Sequence, residues 1–344
     1  MSLPPRRSVR LPAVAVVSLI ALVVVTSCGV GGSDSANTVR VYSGRHYDLE
    51  SAFDEFTEAT GIEVEFLFGN DAELRERIQA EGEGTEADVY MTVDAGNLAT
   101  AAEEGIFQPL DSQVLDDSIP ANLRDPEDRW FGLSQRARSI VYDPDTVDPS
   151  ELSTYEDLAD PKWKGRLCLR NSSAAYTQSL VASLIAAHGR DRALEIVEGW
   201  ADNAEILTND VEILESIADG ICDVGITNHY YLARELEQNP DFPVDMFWAN
   251  QSDRGVHVNI SGAGVTKYAD DPDLAARLIE WLATDGQHAF LAGNHEYPVN
   301  PGVAPDDLVA RYFPIDFEVD TVSASEFGSL NGEAIELMDE AGYG

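Results

Sequence analysis

Lysine is the scarcest charged residue in this 344-residue chain, which contains only Lys162, Lys164 and Lys267. Lysine and arginine together number 22 against 62 acidic residues, so the formal net charge at pH 7 is −40. So few cations exclude the broad basic surface that nucleic acids and many anionic ligands require, and we expect no nucleic-acid partner. The excess of acid suits a cationic ligand, but it is also typical of proteins that stay soluble in a salty habitat.

Cysteine is also scarce, with one residue near the amino terminus and two others, Cys168 and Cys222, in strand-like runs. No histidine lies at zinc-finger spacing from either of these two, which argues against a zinc site. Outside the cytoplasm an even pair favours a disulfide, whereas two buried thiols on neighbouring strands are the alternative. We expect the disulfide.

The amino terminus has the pattern of an export signal. Arginines at positions 6, 7 and 10 precede an apolar run over residues 11–26, which is short for a transmembrane helix. The run ends in Val-Thr-Ser-Cys-Gly, similar to the lipobox of bacterial lipoproteins, so cleavage would leave Cys28 as a lipidated amino terminus. We therefore predict a signal peptide at residues 1–28 and a flexible Gly/Ser-rich tether at residues 29–37. An uncleaved membrane anchor is the alternative.

The remaining chain alternates between strand and helix patterns. These patterns cover residues 38–43, 49–60, 62–68, 71–81, 88–92 and 94–104 in turn. The order predicts a mostly parallel α/β sheet whose loops gather at the carboxyl ends of the strands. A second α/β unit begins near residue 163, and residues 271–292 are predicted to form one amphipathic helix. We find no nucleophile elbow, phosphate loop or HExxH motif, and we expect no enzyme.

Tyr230 and Tyr231 form the most distinctive pattern in the chain. They follow a short apolar strand, and Asn228 is suited to cap the next helix, which places both phenols in its first turn. Helix starts at the carboxyl end of a strand are where open α/β proteins hold ligands. Because phenolate oxygen is a hard, anionic donor, the pair predicts a site for a hard cation such as Fe3+.

Other side chains suited to such a site follow strands elsewhere. His46 and Tyr47 come after the first strand, and Tyr176 follows a polar loop after a strand of the second unit. Taken singly, His46 is more readily a polar loop residue and Tyr176 a packing residue at a helix start. Arg136 and Arg138 lie two apart on a β-rich segment, where they would share a face and could offset phenolate charge or hold an anion.

Several segments resemble the ferric-ion-binding proteins of ABC iron importers, in the type II periplasmic-binding-protein class. The matching segments are VYSGRHY (41–47), ADVYMTVDAGNL (87–98), WFGLSQRARSIVY (130–142), residues 152–185, CDVGITNHYYLARELE (222–237), RGVHVNISGAGV (254–265) and EYPV (296–299). The resemblance covers about residues 38–305, and it is strongest to the tyrosine-rich, cyanobacterial-type members.

The resemblance implies an α/β fold of two lobes with a ligand cleft between them, joined by crossing hinge strands. Residues 38–138 would form the first part of lobe 1, and residues 139–256 would form lobe 2. Residues 257–344 would return to lobe 1 and end in a helical segment.

The ligands implied by the same resemblance are His46 and Tyr47 from lobe 1, with Tyr176, Tyr230 and Tyr231 from lobe 2. Neisserial-type members also use a glutamate early in the loop after the third strand, where this chain has Thr-Val-Asp at residues 92–94. We expect Tyr47 and Tyr176 to compensate, although Tyr47 could equally stay unbound in one closure state. Arg45 and Arg138 are expected to offset phenolate charge behind the ligands.

The implied function is capture of ferric iron by a lipid-anchored monomer outside the cytoplasm, which delivers it to an ABC permease and its ATPase. Fe2+ is an alternative cargo, and whether an anion completes the coordination is left open. Two other functions also stay open. One is a type II binding protein for another solute, such as a polyamine or an organic anion, and the other is an enzyme that uses tyrosinate-bound iron.

Overall fold

The structure, a computed structural model, describes residues 37–45 and 50–344. The predicted signal peptide, Cys28 and all but the last residue of the tether lie outside these ranges, as do His46 and Tyr47. Among the described residues, no helix combines the length and apolar character needed to cross a membrane.

The strands of the described chain form one mixed sheet of ten, with four parallel and five antiparallel pairings. The prediction of a mostly parallel sheet is therefore wrong, because the two long strands that link the lobes run antiparallel to their neighbours. The ten strands are β1 (Thr38–Ser43), β2 (Glu63–Phe68), β3 (Val89–Thr92), β4 (Phe131–Tyr142), β5 (Leu167–Arg170), β6 (Ala204–Leu207), β7 (Val224–Asn228), β8 (Asp245–Phe247), β9 (Val258–Val265) and β10 (Tyr297–Pro298). The path through the sheet is β2-β1-β3-β9-β4-β7-β5-β6, while β8 and β10 also pair with β4.

Helices follow most strands and cover both faces of the sheet. They are α1 (Glu50–Thr60), α2 (Asp71–Glu81), α3 (Ala95–Glu103), α4 (Gln113–Ser118), α5 (Ala175–His188), α6 (Arg190–Asn203), α7 (Asp210–Ala218), α8 (His229–Gln238), α9 (Pro272–Ala283), α10 (Gln287–Leu291), α11 (Asp307–Tyr312), α12 (Ala324–Ser329) and α13 (Asn331–Glu340). The inner strands β3, β5 and β7 are buried along nearly their whole length, as expected for parallel strands covered on both faces, whereas the edge strands β2 and β6 are only partly buried.

Two groups of strands define the two lobes, each built on a parallel core, β2-β1-β3 in one and β7-β5-β6 in the other, and β4 crosses between them. Lobe 1 contains β2, β1, β3 and β9, and lobe 2 contains β7, β5, β6 and β8. Residues 131–137 of β4 pair with β9, whereas residues 138–142 pair with β7. The change of partner falls between Ala137 and Arg138, where the Arg138 amide donates to the His257 carbonyl at 3.0 Å. Chain on either side of this point therefore belongs to different lobes.

The carboxyl-terminal helices pack on both lobes. Helix α12 contacts α3 of lobe 1 and α5 of lobe 2, and α13 contacts α5 and α6. The penultimate residue, Tyr343, is buried and donates a hydrogen bond of 2.7 Å to the Arg170 carbonyl. The end of the chain therefore supports the turn that leads from β5 into α5.

The prediction of one helix over residues 271–292 is wrong. The chain leaves helical geometry at Thr284, and α9 and α10 are separate helices. Gly286 lies against the Trp281 ring, where an added Cβ would come within 2.0 Å of a ring carbon. The bend brings this glycine over the indole, a contact between side chain and backbone that helical periodicity does not encode.

Cys168 of β5 and Cys222, two residues before β7, form a disulfide with a Cα–Cα distance of 5.9 Å. The bridge spans a sequence separation of 54 residues, which includes α5, α6 and α7. The bridge therefore links the amino-terminal part of β5 to the chain just before β7, and these are the two lobe 2 strands that precede the candidate tyrosines.

Candidate metal centre

Three phenols converge at the carboxyl ends of the lobe 2 strands. Tyr176 is the second residue of α5, which follows β5, and Tyr230 and Tyr231 lie in the first turn of α8, which follows β7. The Tyr230 hydroxyl donates to the Tyr176 hydroxyl at 3.4 Å, and the ring centroids of Tyr230 and Tyr231 are 4.3 Å apart. The structure thus brings together all three of the lobe 2 residues named from the sequence.

Asn228 occupies the N-cap position of α8, as expected, but its side chain makes no capping hydrogen bond. Its amide nitrogen instead donates to the Tyr230 hydroxyl at 3.4 Å, and its amide oxygen accepts from Arg138 at 3.3 Å. The residue therefore connects a phenol to an arginine.

Two arginines lie over the ring of Tyr176. The guanidinium carbon of Arg136 is 5.5 Å from the ring centroid, and that of Arg170 is 5.4 Å away. A third arginine, Arg234 of α8, lies 5.0 Å from the centroid of Tyr230. Cations at this distance are attracted to the ring face, and they also favour the ionised form of a nearby phenol.

Burial is the main influence on the acidity of Tyr230, whose side chain is almost inaccessible to solvent. Burial, followed by the proximity of Tyr176 and Tyr231, raises the pKa of Tyr230 well above its ordinary value. The metal-free protein therefore holds a neutral phenol here at pH 7. A bound trivalent cation would have to displace this proton, as metals do when they lower the pKa of their ligands.

Arg138 contacts Asn228 beside the tyrosines, and it is held there by a buried acid. The fully buried Asp210 forms ion pairs with Arg138, at 2.5 Å, and with Arg170. The Asp210 carboxylate also accepts a hydrogen bond of 3.3 Å from the backbone amide of Asn228. Asp210 thus fixes two cations and the start of α8 at once, and the cluster keeps one positive charge in excess.

Arg45, the other predicted arginine, lies on the lobe 1 side. It is fully buried and forms an ion pair of 2.7 Å with Glu296. It also donates to the hydroxyls of Ser134 and Ser261, at 3.1 and 2.8 Å. The Ser261 hydroxyl accepts from Arg136 as well, at 2.8 Å, which connects Arg45 to the tyrosine cluster.

His229, the neighbour of the tyrosine pair, does not face the phenol cluster. Its ring lies 4.7 Å from the Tyr297 ring, and its Nδ1 lies 3.3 Å from the Ala137 carbonyl. Burial lowers the pKa of His229 to about 4, so its imidazole is neutral at pH 7. Among residues 37–45 and 50–344, no three His, Cys, Asp or Glu side chains come together as a possible metal site.

Sequence reasoning missed several residues that complete this centre. Arg170 stands at the carboxyl end of β5, and that position alone could have indicated it. Asp210 and Glu296 carried no comparable signal, because each meets its arginine partners across a long stretch of chain. The sequence pattern indicates Arg136 together with Arg138 as able to offset phenolate charge, but the contact of Arg136 with Tyr176 exists only in the folded structure.

Two α/β lobes joined by crossing strands, with candidate ligands at strand ends, define a type II periplasmic-binding-protein fold. Residues 44–289 match the family model described as bacterial extracellular solute-binding protein. The chain is 42% identical over 315 residues to iron uptake protein A1 of Synechocystis sp., in an alignment that covers 89% of this chain and 87% of that protein. The chain therefore belongs to the bacterial extracellular solute-binding proteins, in the branch of the iron uptake and ferric-iron-binding proteins.

Solved structures of similar proteins agree with this assignment. The Trichodesmium protein IdiA (FutA), in complex with iron and citrate ligands, is 45% identical with a TM-score of 0.85, covering 89% of this chain and all of that one. Ferric iron-binding protein A of Mannheimia haemolytica, in an open conformation, is 32% identical with a TM-score of 0.82, covering 89% of this chain and 99% of that one.

Proposed function

We propose that this protein captures ferric iron in the cleft between its two lobes and delivers it to an ABC permease. The observation that carries the proposal is the convergence of Tyr176, Tyr230 and Tyr231, with Arg136 and Arg170 over the ring of Tyr176. Hard phenolate oxygens suit Fe3+, and a family that includes iron uptake proteins supports the same cargo.

The lobe 2 phenols would supply three ligands, and His46 and Tyr47 of lobe 1 would supply the others. Three tyrosinates neutralise a trivalent ion, and a fourth from Tyr47 would leave one negative charge in excess. The excess positive charge of Arg138 and Arg170 over Asp210 would offset it. Arg138 and Arg45 act in this proposal behind the ligands, as expected from the sequence.

Ligands from both lobes would couple metal binding to lobe closure. Strand β4 carries Arg136 on the lobe 1 side and Arg138 on the lobe 2 side of its change of partner. A rotation at this point would alter the spacing between the two ligand sets, as in the hinge movements of other binding proteins. The permease and its ATPase would then recognise the closed form.

The same proposal includes the location of the protein outside the cytoplasm. Cleavage after residue 27 would leave Cys28 lipidated and the binding domain tethered to the cell membrane as a monomer. The membership of the chain in an extracellular family supports export. Mass spectrometry of the membrane fraction would test the anchor, because a lipidated Cys28 adds the mass of its acyl chains, whereas an unmodified amino terminus would contradict it.

The structure gives little support to a polyamine as the cargo. The groups nearest the tyrosines are arginines, and the buried carboxylate beside them, Asp210, is already paired with two guanidinium groups. A polycationic ligand would be repelled by this arrangement. We also infer a binding protein rather than an enzyme, since His229 is turned away from the phenols.

The test is a visible-absorption titration of chelator-stripped protein with a ferric salt, with and without added citrate. We expect a tyrosinate-to-iron charge-transfer band that saturates at one equivalent. Tyr230→Phe and Tyr231→Phe should each weaken binding by more than the roughly 10- to 100-fold that is typical of changes behind the ligands.

The matched control is Tyr142→Phe, which removes a hydroxyl from the lobe 2 end of β4 without touching the phenol cluster. It should leave both the band and the affinity unchanged. If the unmodified protein develops no band and retains no iron against a weak chelator, with citrate or without it, the ferric proposal is wrong.

A further inference from the structure

Residues 294–297 connect the elements that carry the two sides of the proposed iron site. They follow α10 and lead into β10, which pairs with the lobe 1 part of β4. Their side chains contact Arg45 and Arg136 on one side and helix α8 on the other. None of these residues is a candidate metal ligand, so any effect on the site must act through the side chains that they contact.

Glu296 is a buried anion between two buried cations. Its carboxylate lies 2.7 Å from Arg45 and 3.8 Å from Arg136, and its exposed fraction is only 4%. Burial disfavours the charged carboxylate, but the attraction of Arg45 and then Arg136 outweighs it, so the pKa of Glu296 lies below its ordinary value. The side chain is therefore ionised and bound to both guanidinium groups.

Each arginine leads to a different side of the site. Arg45 directly precedes His46, and its backbone is fixed by Ser43, whose hydroxyl accepts from the Arg45 amide at 3.1 Å and donates to its carbonyl at 2.7 Å. Arg136 lies over the Tyr176 ring and also donates to the Ile260 carbonyl at 2.8 Å. Glu296 thus joins the base of the lobe 1 ligand loop to a lobe 2 phenol.

The neighbouring residues fasten the same segment to α8, the helix that begins with Tyr230 and Tyr231. The Asn294 side chain accepts from Arg234 at 3.4 Å, and His295 lies 3.4 Å from Glu237 and 2.8 Å from Asp306. His295 has a φ of 57°, a left-handed conformation that is uncommon outside glycine. These contacts hold the backbone directly before Glu296 against the lobe 2 helix.

We propose that Glu296 is a positioning residue of the iron site, which holds Arg45, the residue directly before the proposed lobe 1 ligands, in a fixed position relative to Arg136, which lies over the Tyr176 ring. The proposal rests on the proposed function, since it assigns Glu296 to the ferric site. It adds a residue that supplies no ligand atom and is distant in sequence from every candidate ligand.

Glu296→Gln tests this role because glutamine keeps the shape of the side chain but carries no negative charge to attract the two arginines. We expect iron affinity to fall about 10- to 100-fold, the range typical of groups that orient metal ligands. The stoichiometry and the charge-transfer band at saturation should persist, since every proposed ligand remains. Glu296→Asp, which keeps the charge on a shorter chain, should recover part of the affinity.

The direction of the change in iron affinity shows whether Glu296 acts by positioning the arginines or through its own negative charge. Binding exchanges three or four phenol protons for one trivalent ion, so the charge of the site stays constant or becomes more negative. Removing a nearby anion would therefore leave the affinity unchanged or raise it if Glu296 acted through its charge alone. A loss of affinity reports a loss of position, and an unchanged or higher affinity would overturn the proposal.

Glu156→Gln is the matched control, because Glu156 is a largely shielded carboxylate that also holds an arginine, Arg254, but at the other end of α5. It should leave iron affinity unchanged. An equal loss in both variants would mean that general destabilisation is the cause, and the positioning role would be wrong.

Amide hydrogen exchange of the iron-free protein makes the result independent of iron binding. Glu296→Gln should speed exchange at the amides of Gly44 and Arg45, which are hydrogen-bonded in the structure, and at residues 174–178, and Glu156→Gln should not. If exchange at either segment stays at the wild-type rate, Glu296 does not position that side. If the unmodified protein fails to bind iron, the proposed function is wrong, while the exchange result still decides what Glu296 holds.

Discussion

Two buried clusters of acid and arginine lie at opposite ends of α5, a helix of 14 residues that is about 20 Å long. At its start, Asp210 binds Arg138 and Arg170 beside Tyr176. At its end, Glu156 lies 3.2 Å from Arg254 and 2.7 Å from His188. The two clusters use the same ionic chemistry, although the second is less deeply buried, and they differ in the sign of the charge left over.

The cluster at the start of α5 has two cations for one acid, whereas the far cluster has two acids, Glu156 and Asp320, for one arginine. Burial raises the pKa of Asp320 to about 6, although Arg254 opposes this shift. Excess positive charge beside phenols favours their ionisation. At the far end a single phenol, Tyr155, lies beside Arg254, and its hydroxyl already donates to the Arg138 carbonyl. A buried arginine therefore indicates a metal site only where several oxygen donors converge beside it.

The largest effect is expected for Asp210→Asn, which leaves two buried arginines without their anion. Loss of one partner of a buried ion pair costs about 3–5 kcal/mol in the free energy of unfolding. Because Arg170 and the start of α8 would also move, iron affinity should fall about 10- to 100-fold. Urea unfolding and the ferric titration would measure the two effects separately.

Asp219→Asn, at the exposed end of the same helix α7, is the control and should change neither quantity. If Asp210→Asn lowers stability but binds iron as tightly as the unmodified protein, the two clusters do not differ in function.

A smaller effect is expected for Glu156→Gln, which alters the far cluster. The variant loses charge-assisted hydrogen bonds, so the free energy of unfolding should fall by about 1.5–3 kcal/mol. Iron affinity should stay the same, because the change lies a full helix length from Tyr176. A ferric titration weakened in this variant but not in an equally destabilised variant elsewhere would show that the far cluster also supports the site, which would break the comparison.

The smallest effect concerns His257, which lies between the clusters and contacts the Ser179 hydroxyl at 3.2 Å. Burial, and then Arg254 and Arg138, lower the pKa of His257 to about 3, against an ordinary value of 6.5. At pH values between about 3 and 6.5, the His257 imidazole is protonated in the unfolded chain but neutral in the folded protein. The stabilising contribution is therefore present above pH 6.5 and declines as the pH falls, by about 1.4 kcal/mol per unit.

His257→Gln should remove this dependence. Between pH 7.5 and pH 5.5, the unmodified protein should lose about 1 kcal/mol more unfolding free energy than the variant. Urea unfolding at the two pH values measures the difference, and His229 contributes equally to both proteins. Parallel pH profiles would mean that His257 is already protonated in the folded state or exposed to solvent.

Much of the fold followed from local pattern. Alternating strands and helices predicted the parallel pairings of β1 with β2 and β3 and of β5 with β6 and β7, but not the antiparallel pairings of β4 and β9, which join strands far apart in the chain. Helix α2 was predicted at its observed bounds, Asp71–Glu81, since a polar, helix-period segment is a local signal. The break between α9 and α10 was missed because the Gly286 contact with Trp281 depends on the bend itself.

The sequence alone determined that Tyr230 and Tyr231 stand at the start of a helix after a buried strand. That placement depends only on apolar runs, a capping position and the helical period, all of which lie within a few residues of chain. The same local rules put Tyr176 after β5. The chemistry of phenol oxygens at these positions favours a hard cation as the ligand, and that inference needs no contact between distant parts of the chain.

Only the tertiary structure decided which acids hold which arginines. Arg138 and Asp210 are 72 residues apart, and Arg45 and Glu296 are 251 apart, so no local period connects them. Ion pairs of this kind form where distant strands and helices happen to enclose both charges, and the pairing is enforced by the cost of burying either charge alone. Folding therefore assigned the partners, because that cost exists only once the chain has excluded water.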